Sequence, residues 1–592
     1  MTAPFLALTS QMALGQVAAD GPPTGAALKV LILGGYGTFG GRLAQLLANE
    51  PGVTLLIAGR SRDKAVAFCA SLPAGAESLP LAFDRDGDVE TQIARIAPDL
   101  IVDATGPFQT YGDDPYRVVK ACLALGISYL DLADGSAFVQ GIGQFDAAAR
   151  ARNIFILAGA SSFPVLTAAV VRQLAKGLAR VETISAGIAP SPDPSAVGPN
   201  VLRAIAEYAG KRTTLVRDGR RVTGYALTGG RRYTIAPPGR LPLESRRFSL
   251  VQVPDLDVLP ALWPDLLSVW IGAGTVPPIL HRALNGLAWM VRLRLLSSLS
   301  PFAGLFYCAL QRLSCGEHRG GMFVAVEGMT PAGERLGRAW HLLAEGDDGP
   351  FIPAMAAAAF VRNCLADRPP SSGARSAATD LELVDYAPLF NRRAIYAGVR
   401  EWTADGQQQP LYRRLLGAAW TALPVPLQVM HGLEGRLVAE GRATVERGNG
   451  LLARLIAALF GFPGAGRDVP ARLEFERRGN EEIWRRTFAG RSFASVQSVG
   501  SGRFDHLIVE RFGPFAFGVA AVLADDRLQL VLRRWSFLGL SLPLRLAPTG
   551  KAYECAADDR FHFHVELGHP LTGLIVRYRG WLAAPAVPGS EA

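Results

Sequence analysis

Three glycines near the start of the chain have the spacing of a loop that binds a dinucleotide. Gly35, Gly37 and Gly40 form the pattern G-x-G-x-x-G between the apolar run Leu28–Leu33 and a helix-like stretch at 42–48. In such a loop the first glycine permits a tight turn, the second lets a pyrophosphate approach the backbone, and the third lets the helix pack closely on the strand. The N–H groups and the dipole at the start of the helix favour the phosphate charge. We therefore predict a dinucleotide site, with a structural glycine turn as the alternative.

The end of the next predicted strand, 53–58, indicates which dinucleotide binds. An NAD site places Asp or Glu near this point to hold the ribose 2′-hydroxyl, whereas this chain has Arg60. A guanidinium pairs with a 2′-phosphate through two hydrogen bonds, and a carboxylate would repel it. Ser61 and Lys64 add a hydroxyl and an ammonium group. The sequence thus favours NADP over NAD, the alternative being a solvated basic start of a helix.

Two further strand ends complete the predicted cofactor site. Asp84 follows strand 77–83 and either lies near the adenine edge or is a turn aspartate. Strand 100–105 runs into Gly106 and Pro107, which bring backbone close to the ribose or nicotinamide because ligands lie at the carboxyl edge of a parallel sheet. The residues predicted to bind the cofactor are Gly35, Tyr36, Gly37, Thr38, Phe39, Gly40, Arg60, Ser61, Lys64, Asp84, Thr105, Gly106 and Pro107.

The catalytic residues are less clearly marked than the cofactor site. Neither Tyr111 nor Tyr129 is followed four residues later by the lysine of the Tyr-x-x-x-Lys pairing of short-chain dehydrogenases. The candidate proton donors, acceptors or carbonyl-orienting groups near the nicotinamide are Tyr111, Asp131, Ser161 and Ser162. His341 is a candidate general acid in a predicted strand. Each has a structural alternative as a cap, turn or core residue, and catalysis can instead rest on positioning the hydride donor and acceptor.

A cluster of histidines near the C-terminus is a candidate metal site. His562, His564 and Glu566 fall on one face of a predicted strand, with His569 beyond its end. Two imidazoles and a carboxylate are ligands that zinc accepts. The other face of the strand is an apolar core stripe, so the polar face is most simply solvated. We predict no metal.

The alternation of elements predicts an α/β protein. Strands and helices alternate through residue 160, which is typical of a parallel, doubly wound sheet. From residue 181 onward short strands and tight turns mix with helices. Beyond residue 410 the strands alternate in polarity around one apolar helix at 451–460. This pattern predicts an antiparallel, curved sheet with a short helix, and such sheets wrap a cavity in lipocalin-like and lipid-transfer-like folds.

Several of these motifs together resemble the saccharopine dehydrogenase-like family. They are Gly34-Gly-Tyr-Gly-Thr-Phe-Gly40, Ala58-Gly-Arg-Ser61, Ala104-Thr-Gly-Pro-Phe108 and Tyr129-Leu-Asp-Leu132, with a looser similarity to about residue 400. The resemblance implies an NAD(P)-binding domain and an inserted α+β domain that holds substrate and mediates dimerisation. No saccharopine-binding residue carries over. The segment 411–582 resembles the uncharacterised domain DUF4166, which implies a boundary but no activity.

These patterns predict a domain order and a function. The predicted parts are a tail at 1–27, an NADP-binding Rossmann domain at 28–160, an α+β substrate and dimerisation domain at 161–400, a linker at 401–410, a β-rich domain at 411–582 and a tail at 583–592. The expected reaction is hydride transfer to or from a carbonyl, imine or activated double bond. The alternative is a non-catalytic NADP-binding or lipid-binding sensor, or a peripheral membrane protein.

Net charge and cysteine content limit the classes of partner and the compartment that the sequence predicts. The 592 residues include 61 basic and 52 acidic side chains, so the formal charge is +9. The arginines are scattered, which suits an anionic ligand or membrane surface and argues against nucleic acid. Six cysteines without a C-x-x-C pair indicate reduced thiols. We predict a cytoplasmic homodimer that acts on a small molecule.

The segment 276–313 is the best candidate for a transmembrane segment. His281 and Arg292 interrupt its first half, and its second half is only about a dozen residues, short of the roughly 20 that span a bilayer. We therefore reject a spanning helix and expect a buried lobe, with a membrane-facing surface as the alternative. Such a lobe implies an apolar substrate, although an apolar dimer interface explains the same residues equally well. The first 27 residues lack the pattern of a signal peptide.

Overall fold

A computed structural model of the protein describes residues 27–192, 198–275, 277–312, 316–403, 409–432 and 434–583. All but one residue of each predicted tail, and half of the predicted linker, lie outside these ranges. The described chain forms two compact units. One contains residues 27–231 and 246–396, and the other contains 232–245 and 397–583.

The first sheet is the predicted parallel sheet. Its strands and the helices between them are β1 (Leu28–Leu33), α1 (Thr38–Leu47), β2 (Val53–Gly59), α2 (Arg62–Ser71), β3 (Glu77–Ala82), α3 (Val89–Ile96), β4 (Leu100–Asp103), α4 (Arg117–Leu125), β5 (Ser128–Asp131), α5 (Ser136–Gly141), α6 (Asp146–Ala151), β6 (Phe155–Ala158) and α7 (Thr167–Leu174). β1 is central, and its Leu33 lies in register with Ala58 of β2 and Asp103 of β4. Because helices cover both faces of a parallel sheet, residues 30–33 of β1 and 100–102 of β4 are apolar and buried, as continuous apolar runs predict.

The second sheet is mixed, which confirms the predicted α+β character. Its elements and their neighbours are β7 (Arg180–Ala189), α8 (Pro199–Tyr208), β8 (Arg212–Arg217), β9 (Arg220–Tyr225), β10 (Gly230–Tyr233), β11 (Arg246–Leu250), α9 (Asp255–Leu262), β12 (Ser268–Ala273), α10 (Pro278–Arg292), α11 (Ala303–Arg312), β13 (Arg319–Met329), β14 (Arg335–Glu345), α12 (Ile352–Leu365), β15 (Gly373–Ser376), α13 (Leu383–Asn391) and β16 (Ile395–Thr403). The sheet has the order β10-β11-β12-β7-β13-β14-β16, and β8 and β9 form a separate hairpin. β16 reaches Thr403, so the predicted linker begins inside a strand.

One strand that lies between β14 and β16 in the chain returns to the first sheet. β15 pairs in parallel with β6 and gives the first sheet the order β15-β6-β5-β4-β1-β2-β3. The local sequence around 366–373 reads as a loop, and its short strand is stabilised by a partner more than two hundred residues earlier. The parallel sheet is therefore completed from both sides of the second one.

The apolar segment 276–313 differs from its predicted burial. It forms α10 and α11, and Ile279, Leu295 and Leu305 are each about two-thirds exposed or more (71%, 67% and 66%). The expectation of a buried lobe is wrong for these side chains, because the helices place their apolar residues on more than one face. In the described ranges, every helix is too short or too polar to cross a bilayer.

The C-terminal unit is the predicted antiparallel β-rich domain. Its elements are α14 (Leu411–Leu416), α15 (Val425–His431), β17 (Arg436–Arg447), α16 (Leu451–Leu459), β18 (Gly466–Arg478), β19 (Glu481–Phe488), β20 (Arg491–Val499), β21 (Ile508–Phe512), β22 (Phe515–Ala524), β23 (Arg527–Phe537), β24 (Leu540–Leu542), β25 (Ala552–Ala557), β26 (Arg560–His569) and β27 (Gly573–Leu582). Pairing of β22 with β23 closes ten of these strands into a barrel, and β24 extends β23.

The buried face of the barrel is packed with side chains. Tyr412 and His431, from α14 and α15, stack with ring centroids 3.8 Å apart, and His431 stacks in turn on Trp484 of β19. Nε2 of His431 lies 2.6 Å from the Glu554 carboxylate. These helices lie against the inward strand faces, so their side chains fill the barrel at this level.

Candidate functional site

The predicted cofactor residues converge at the carboxyl edge of the first sheet. The loops after β1, β2, β4, β5 and β6 all leave this edge, because parallel strands end on the same side. The glycine loop differs in one detail from its prediction. Gly34, with φ +71°, adopts the left-handed turn conformation that we assigned to Gly35. Gly35 is required for another reason, since a β-carbon there would lie 2.9 Å from the carbonyl oxygen of Ile32.

The start of α1 has the features of an anion site. Its N-cap is Gly37, no side chain in the described ranges caps it, and its first turn contains no acidic residue. The amide groups of the first turn lack helical partners, so they are available to an anionic ligand. A β-carbon on Gly40 would overlap the carbonyl oxygen of Gly34, which confirms the close approach of helix and loop. A pyrophosphate fits this position.

The basic residues after β2 are exposed beside this loop. Arg60 and Lys64 have no ion-pair partner within the part of the chain that the structure describes. Ser61 is the N-cap of α2, and its Oγ accepts a hydrogen bond from the Lys64 amide at 3.4 Å. Its own amide donates to the Tyr36 hydroxyl at 3.0 Å. The two cations are therefore free to meet a phosphate, whereas Ser61 also has a structural role.

Asp84 has the turn contacts of its structural alternative. Its Oδ1 accepts a hydrogen bond from the Asp86 amide at 3.0 Å, and its backbone pairs with the Gln92 side chain. These bonds fix the loop between β3 and α3. An adenine contact by Asp84 stays a prediction.

A buried polar network lies at the end of β4. Thr105 donates its hydroxyl proton to Asp103 at 2.5 Å, and its Oγ1 lies 2.6 Å from the Tyr111 hydroxyl. Because the Thr105 proton is committed to Asp103, Tyr111 donates to Thr105. Arg85 stacks over the Tyr111 ring at 3.4 Å and approaches Asp103 at 3.9 Å. The peptide bond between Gly106 and Pro107 is cis.

Burial and charge set the protonation of this network. Burial and the nearby Asp103 carboxylate raise the pKa of Tyr111 far above its ordinary value. Burial also raises the pKa of Asp103, opposed by the hydrogen bond from Thr105 and the charge of Arg85. Tyr111 therefore stays protonated at working pH and acts as a hydrogen-bond donor.

Asp131 lies beside Asp103 on the neighbouring strand, in register with it. Its Oδ1 accepts hydrogen bonds from the amides of Ala133 at 2.9 Å and Gly159 at 2.7 Å. Burial raises the pKa of Asp131 to about 7, and those two amides partly offset the increase. The fully buried carboxyl joins the loops after β5 and β6, so its contacts are those of a positioning residue.

The remaining catalytic candidates lie apart from this network or below the surface. Ser162 is buried in a π-helical turn after β6, and the amide of Ser161 bonds to the carbonyl of Gly159. His341 is buried in β14 of the second sheet, opposite Phe323. Their catalytic roles stay predictions.

Three residues at the site were not singled out from the sequence. Asp103 and Arg85 belong to the Tyr111 network, and a carboxylate ending the apolar run of β4 is the signal that could have found Asp103. Gly198, the N-cap of α8, packs so closely on the glycine loop that a β-carbon there would lie 2.8 Å from Thr38 Oγ1. Gly198 thus bounds the predicted cofactor site.

The histidine cluster on β26 has other partners. Glu566 accepts a hydrogen bond from Arg577 at 2.8 Å, and His564 stacks on Tyr553. Nδ1 of His569 accepts a hydrogen bond from the Leu571 amide at 3.2 Å. In the described ranges, no three His, Cys, Asp or Glu side chains are grouped as a metal would require.

Two segments match known protein families. Residues 30–155 match the saccharopine dehydrogenase NADP binding domain, and residues 423–582 match a domain of unknown function, DUF4166. Both matches agree with the resemblance found in the sequence. No curated protein matches the chain.

The chain also has similarity to several solved structures. Saccharopine dehydrogenase (L-Glu forming) from Saccharomyces cerevisiae is 14% identical, with 64% of this chain and 100% of that chain covered and a TM-score of 0.45. A meso-dapdh mutant with DAP from Clostridium tetani E88 is 11% identical, with 61% and 96% covered and a TM-score of 0.30. GenD2 from gentamicin A biosynthesis, in complex with NAD, is 13% identical, with 52% and 72% covered and a TM-score of 0.25.

Proposed function

We propose that this chain, whose residues 30–155 match the saccharopine dehydrogenase NADP binding domain, is an NAD(P)-dependent oxidoreductase that uses NADP. The proposed reaction is hydride transfer between the nicotinamide and a carbonyl, imine or activated double bond. The observation that carries the cofactor choice is the pair of exposed cations, Arg60 and Lys64, one strand from the uncapped start of α1. The exposed apolar residues of α10 and α11 fit either an apolar substrate or the dimer contact proposed below.

The proposed cofactor contacts follow the edge of the sheet. The loop 34–40 holds the pyrophosphate through backbone amides, and Arg60 and Lys64 form ion pairs with the 2′-phosphate. Tyr36 and Ser61 shape the ribose site through their mutual hydrogen bond. Thr105, Gly106 and Pro107 lie at the nicotinamide end. Asp84 completes the set at the adenine edge.

The proposed chemistry needs few groups from the chain. The bound cofactor supplies or accepts the hydride. When substrate binds, the Tyr111 hydroxyl turns its one proton from Thr105 to the substrate oxygen or nitrogen, and this hydrogen bond stabilises the charge that develops there. Thr105 and Asp103 hold the Tyr111 hydroxyl, and Arg85 fixes its ring. Asp131 positions the adjoining loops.

Reversing the charge at residue 60 tests the cofactor choice. Arg60→Asp is expected to weaken NADPH binding by about 10- to 100-fold at low salt, because a charged hydrogen bond is lost and a repulsion is gained. NADH binding should not weaken, since NADH has no 2′-phosphate. Arg152→Asp, the same charge change beside β6 at the far side of the sheet, is the control and should leave both affinities unchanged. Fluorescence titration measures each affinity, and equal NADPH affinity in Arg60→Asp and wild type contradicts the 2′-phosphate contact.

Removing one hydroxyl tests the proposed hydrogen-bond donor. Tyr111→Phe is expected to lower kcat by about 10²-fold with little change in NADPH affinity, which is the usual cost of losing one donor to a developing charge. The assay measures NADPH oxidation with the best substrate from a panel of apolar aldehydes, ketones, imines and enoyl compounds. Tyr116→Phe is the matched control, because the Tyr116 hydroxyl bonds to the carbonyl of Phe138. Unchanged kcat in Tyr111→Phe rules out this role, and tight NADPH binding without turnover on any compound favours the sensor.

The assembly and location complete the proposal. We propose a cytoplasmic homodimer, supported by the exposed apolar side chains of α10 and α11. A sedimentation coefficient that rises from the monomer to the dimer value with concentration is the expected result. A monomer at all concentrations contradicts it.

A further inference from the structure

One end of the C-terminal barrel carries exposed leucines that the hydride-transfer site does not use. Helix α16 turns Leu451, Leu455 and Leu459 outward, and these side chains are 84%, 66% and 77% exposed. Leu538 and Leu540, at the β23–β24 turn, are each 71% exposed. Leu571, between β26 and β27, is 82% exposed. We call these six residues the leucine rim.

Ring contacts place one end of α16 beside the β23–β24 turn. Phe460, directly after α16, lies 5.5 Å from Phe515 between ring centroids. Phe515 lies 4.9 Å from Phe537, which immediately precedes Leu538. The C-terminal end of α16 is therefore adjacent to the two leucines of the turn.

Backbone packing places the other end of α16 beside Leu571. A β-carbon on Gly450, the N-cap of α16, would lie 3.6 Å from the carbonyl oxygen of Thr572. Helix α16 thus extends from the β26–β27 turn to the β23–β24 turn. The leucine rim is one continuous surface on one end of the barrel.

The inner face of α16 already packs on the barrel, so the exposed leucines are not core residues that have lost their contacts. Ala453 and Ala457 are fully buried, and Ile456 and Phe460 pack on the barrel core. These residues attach the helix to the barrel. Its leucines repeat at i, i+4 and i+8 on the opposite face, which is exposed to solvent. A contiguous apolar surface of this kind marks an interaction site.

The segments that bear the rim carry only basic charges. They are 447–467, 535–553 and 567–582, and the acidic residues that flank them, Glu446, Asp468, Glu554 and Glu566, are each bonded to an arginine or a histidine. Arg454, Arg545 and Lys551 are exposed there, and none has an ion-pair partner among the described residues. Arginines on the barrel wall, by contrast, are paired, as Arg442 is with Asp468. The unpaired cations lack an anionic partner.

We propose that the leucine rim is a docking surface for an anionic lipid membrane. The leucines enter the boundary between headgroups and acyl chains, and Arg454, Arg545 and Lys551 contact lipid phosphates. A second copy of the chain fits less well, because a two-fold contact through the rim would bring the same cations against each other. This surface is separate in sequence from α10 and α11, and the inference does not depend on hydride transfer.

Vesicle co-sedimentation of the full chain tests the proposal. Wild type is expected to bind phosphatidylcholine vesicles that contain about one third phosphatidylserine, and to bind pure phosphatidylcholine about tenfold more weakly. The triple variant Leu451→Ser, Leu455→Ser, Leu459→Ser should lose binding by about tenfold or more. Arg454→Glu with Lys551→Glu should remove the preference for phosphatidylserine. The variants should fold normally, since the side chains are exposed, and unchanged NADPH affinity and melting temperature check this.

A second surface variant gives the contrast. Leu293→Ser with Leu305→Ser changes exposed leucines outside the barrel, on the segment that contains α10 and α11, and should leave vesicle binding unchanged. Failure of wild type to bind either vesicle overturns the proposal. So does equal binding by the α16 variant, or loss of binding confined to the α10–α11 variant. If the α16 variant instead abolishes a concentration-dependent dimer, the rim joins two copies of the chain and the membrane proposal is wrong.

Discussion

Replacing Gly40 by alanine is expected to lower the free energy of unfolding by about 2–3 kcal/mol and to abolish measurable NADPH binding. The new β-carbon would overlap the carbonyl oxygen of Gly34 and lie 3.0 Å from the α-carbon of Gly35. Both are backbone atoms, which cannot rotate away as a side chain can, so α1 must move off the loop. The amides at its N-terminus would then no longer face the pyrophosphate. Urea denaturation gives the first quantity, and fluorescence titration with NADPH gives the second.

Gly143→Ala is the matched control for this substitution. It makes the same chemical change in a helical turn of the same domain, where no atom of the described chain lies within 4 Å of the added carbon. Its backbone is outside the left-handed region, so stability should stay constant or rise by a few tenths of a kcal/mol. A Gly40→Ala protein that melts and binds NADPH like Gly143→Ala would show that the helix and loop are not in close contact.

The buried Asp131 carboxyl is expected to make the protein less stable as pH rises from about 4 to about 7. Burial raises its pKa to about 7 in the folded protein, whereas an unfolded aspartate has a pKa near 3.9. Between these values the folded state binds more protons than the unfolded state, so the free energy of unfolding falls with pH and levels off above about 7. Over that interval the loss amounts to about 4 kcal/mol from this one group.

Asp131→Asn isolates this effect from all other titrations. The amide oxygen can still accept hydrogen bonds from Ala133 and Gly159, but the side chain no longer ionises. The variant and wild type should have similar stability at pH 4, and the variant should be the more stable at pH 8. Asp113→Asn, at an exposed aspartate near Tyr111, should leave the stability curve unchanged. If the free energies of unfolding of Asp131→Asn and wild type, measured with urea, change equally between pH 4 and pH 8, the raised pKa is contradicted.

Local sequence patterns predict the strands and the cofactor loop well, because their causes are local. The apolar run of β1, the turn at 34–40 and the alternation in β26 each follow from neighbouring residues. The exchange of roles between Gly34 and Gly35 is a small error of the same local kind. The positive φ of Gly34 and the short distance from Gly35 to the Ile32 carbonyl oxygen decide it, and the spacing of glycines alone contains neither.

Contacts between distant segments account for what the sequence pattern misses. Arg85 reaches Tyr111 from a different loop, so only the assembled sheet edge brings the network together. The segment 232–245 joins the C-terminal unit, where the Leu523 amide bonds to the carbonyl of Gly239 at 2.8 Å. The closing pair of β22 and β23 creates a barrel from what reads as an open, curved sheet. Periodicity identifies each strand but not its partner.

The return of β15 to the first sheet has a consequence for synthesis on the ribosome. Strands β1 to β6 emerge first and can assemble the edge that holds the cofactor, but β6 has no outer neighbour until residues 373–376 appear. Throughout translation of the second sheet, the nascent nucleotide-binding domain therefore presents an unpaired strand edge, which is a template for aggregation. A chain terminated anywhere between residues 159 and 372 would keep that edge permanently. Such a topology requires that chaperones protect the unpaired edge of β6 from aggregation during this interval.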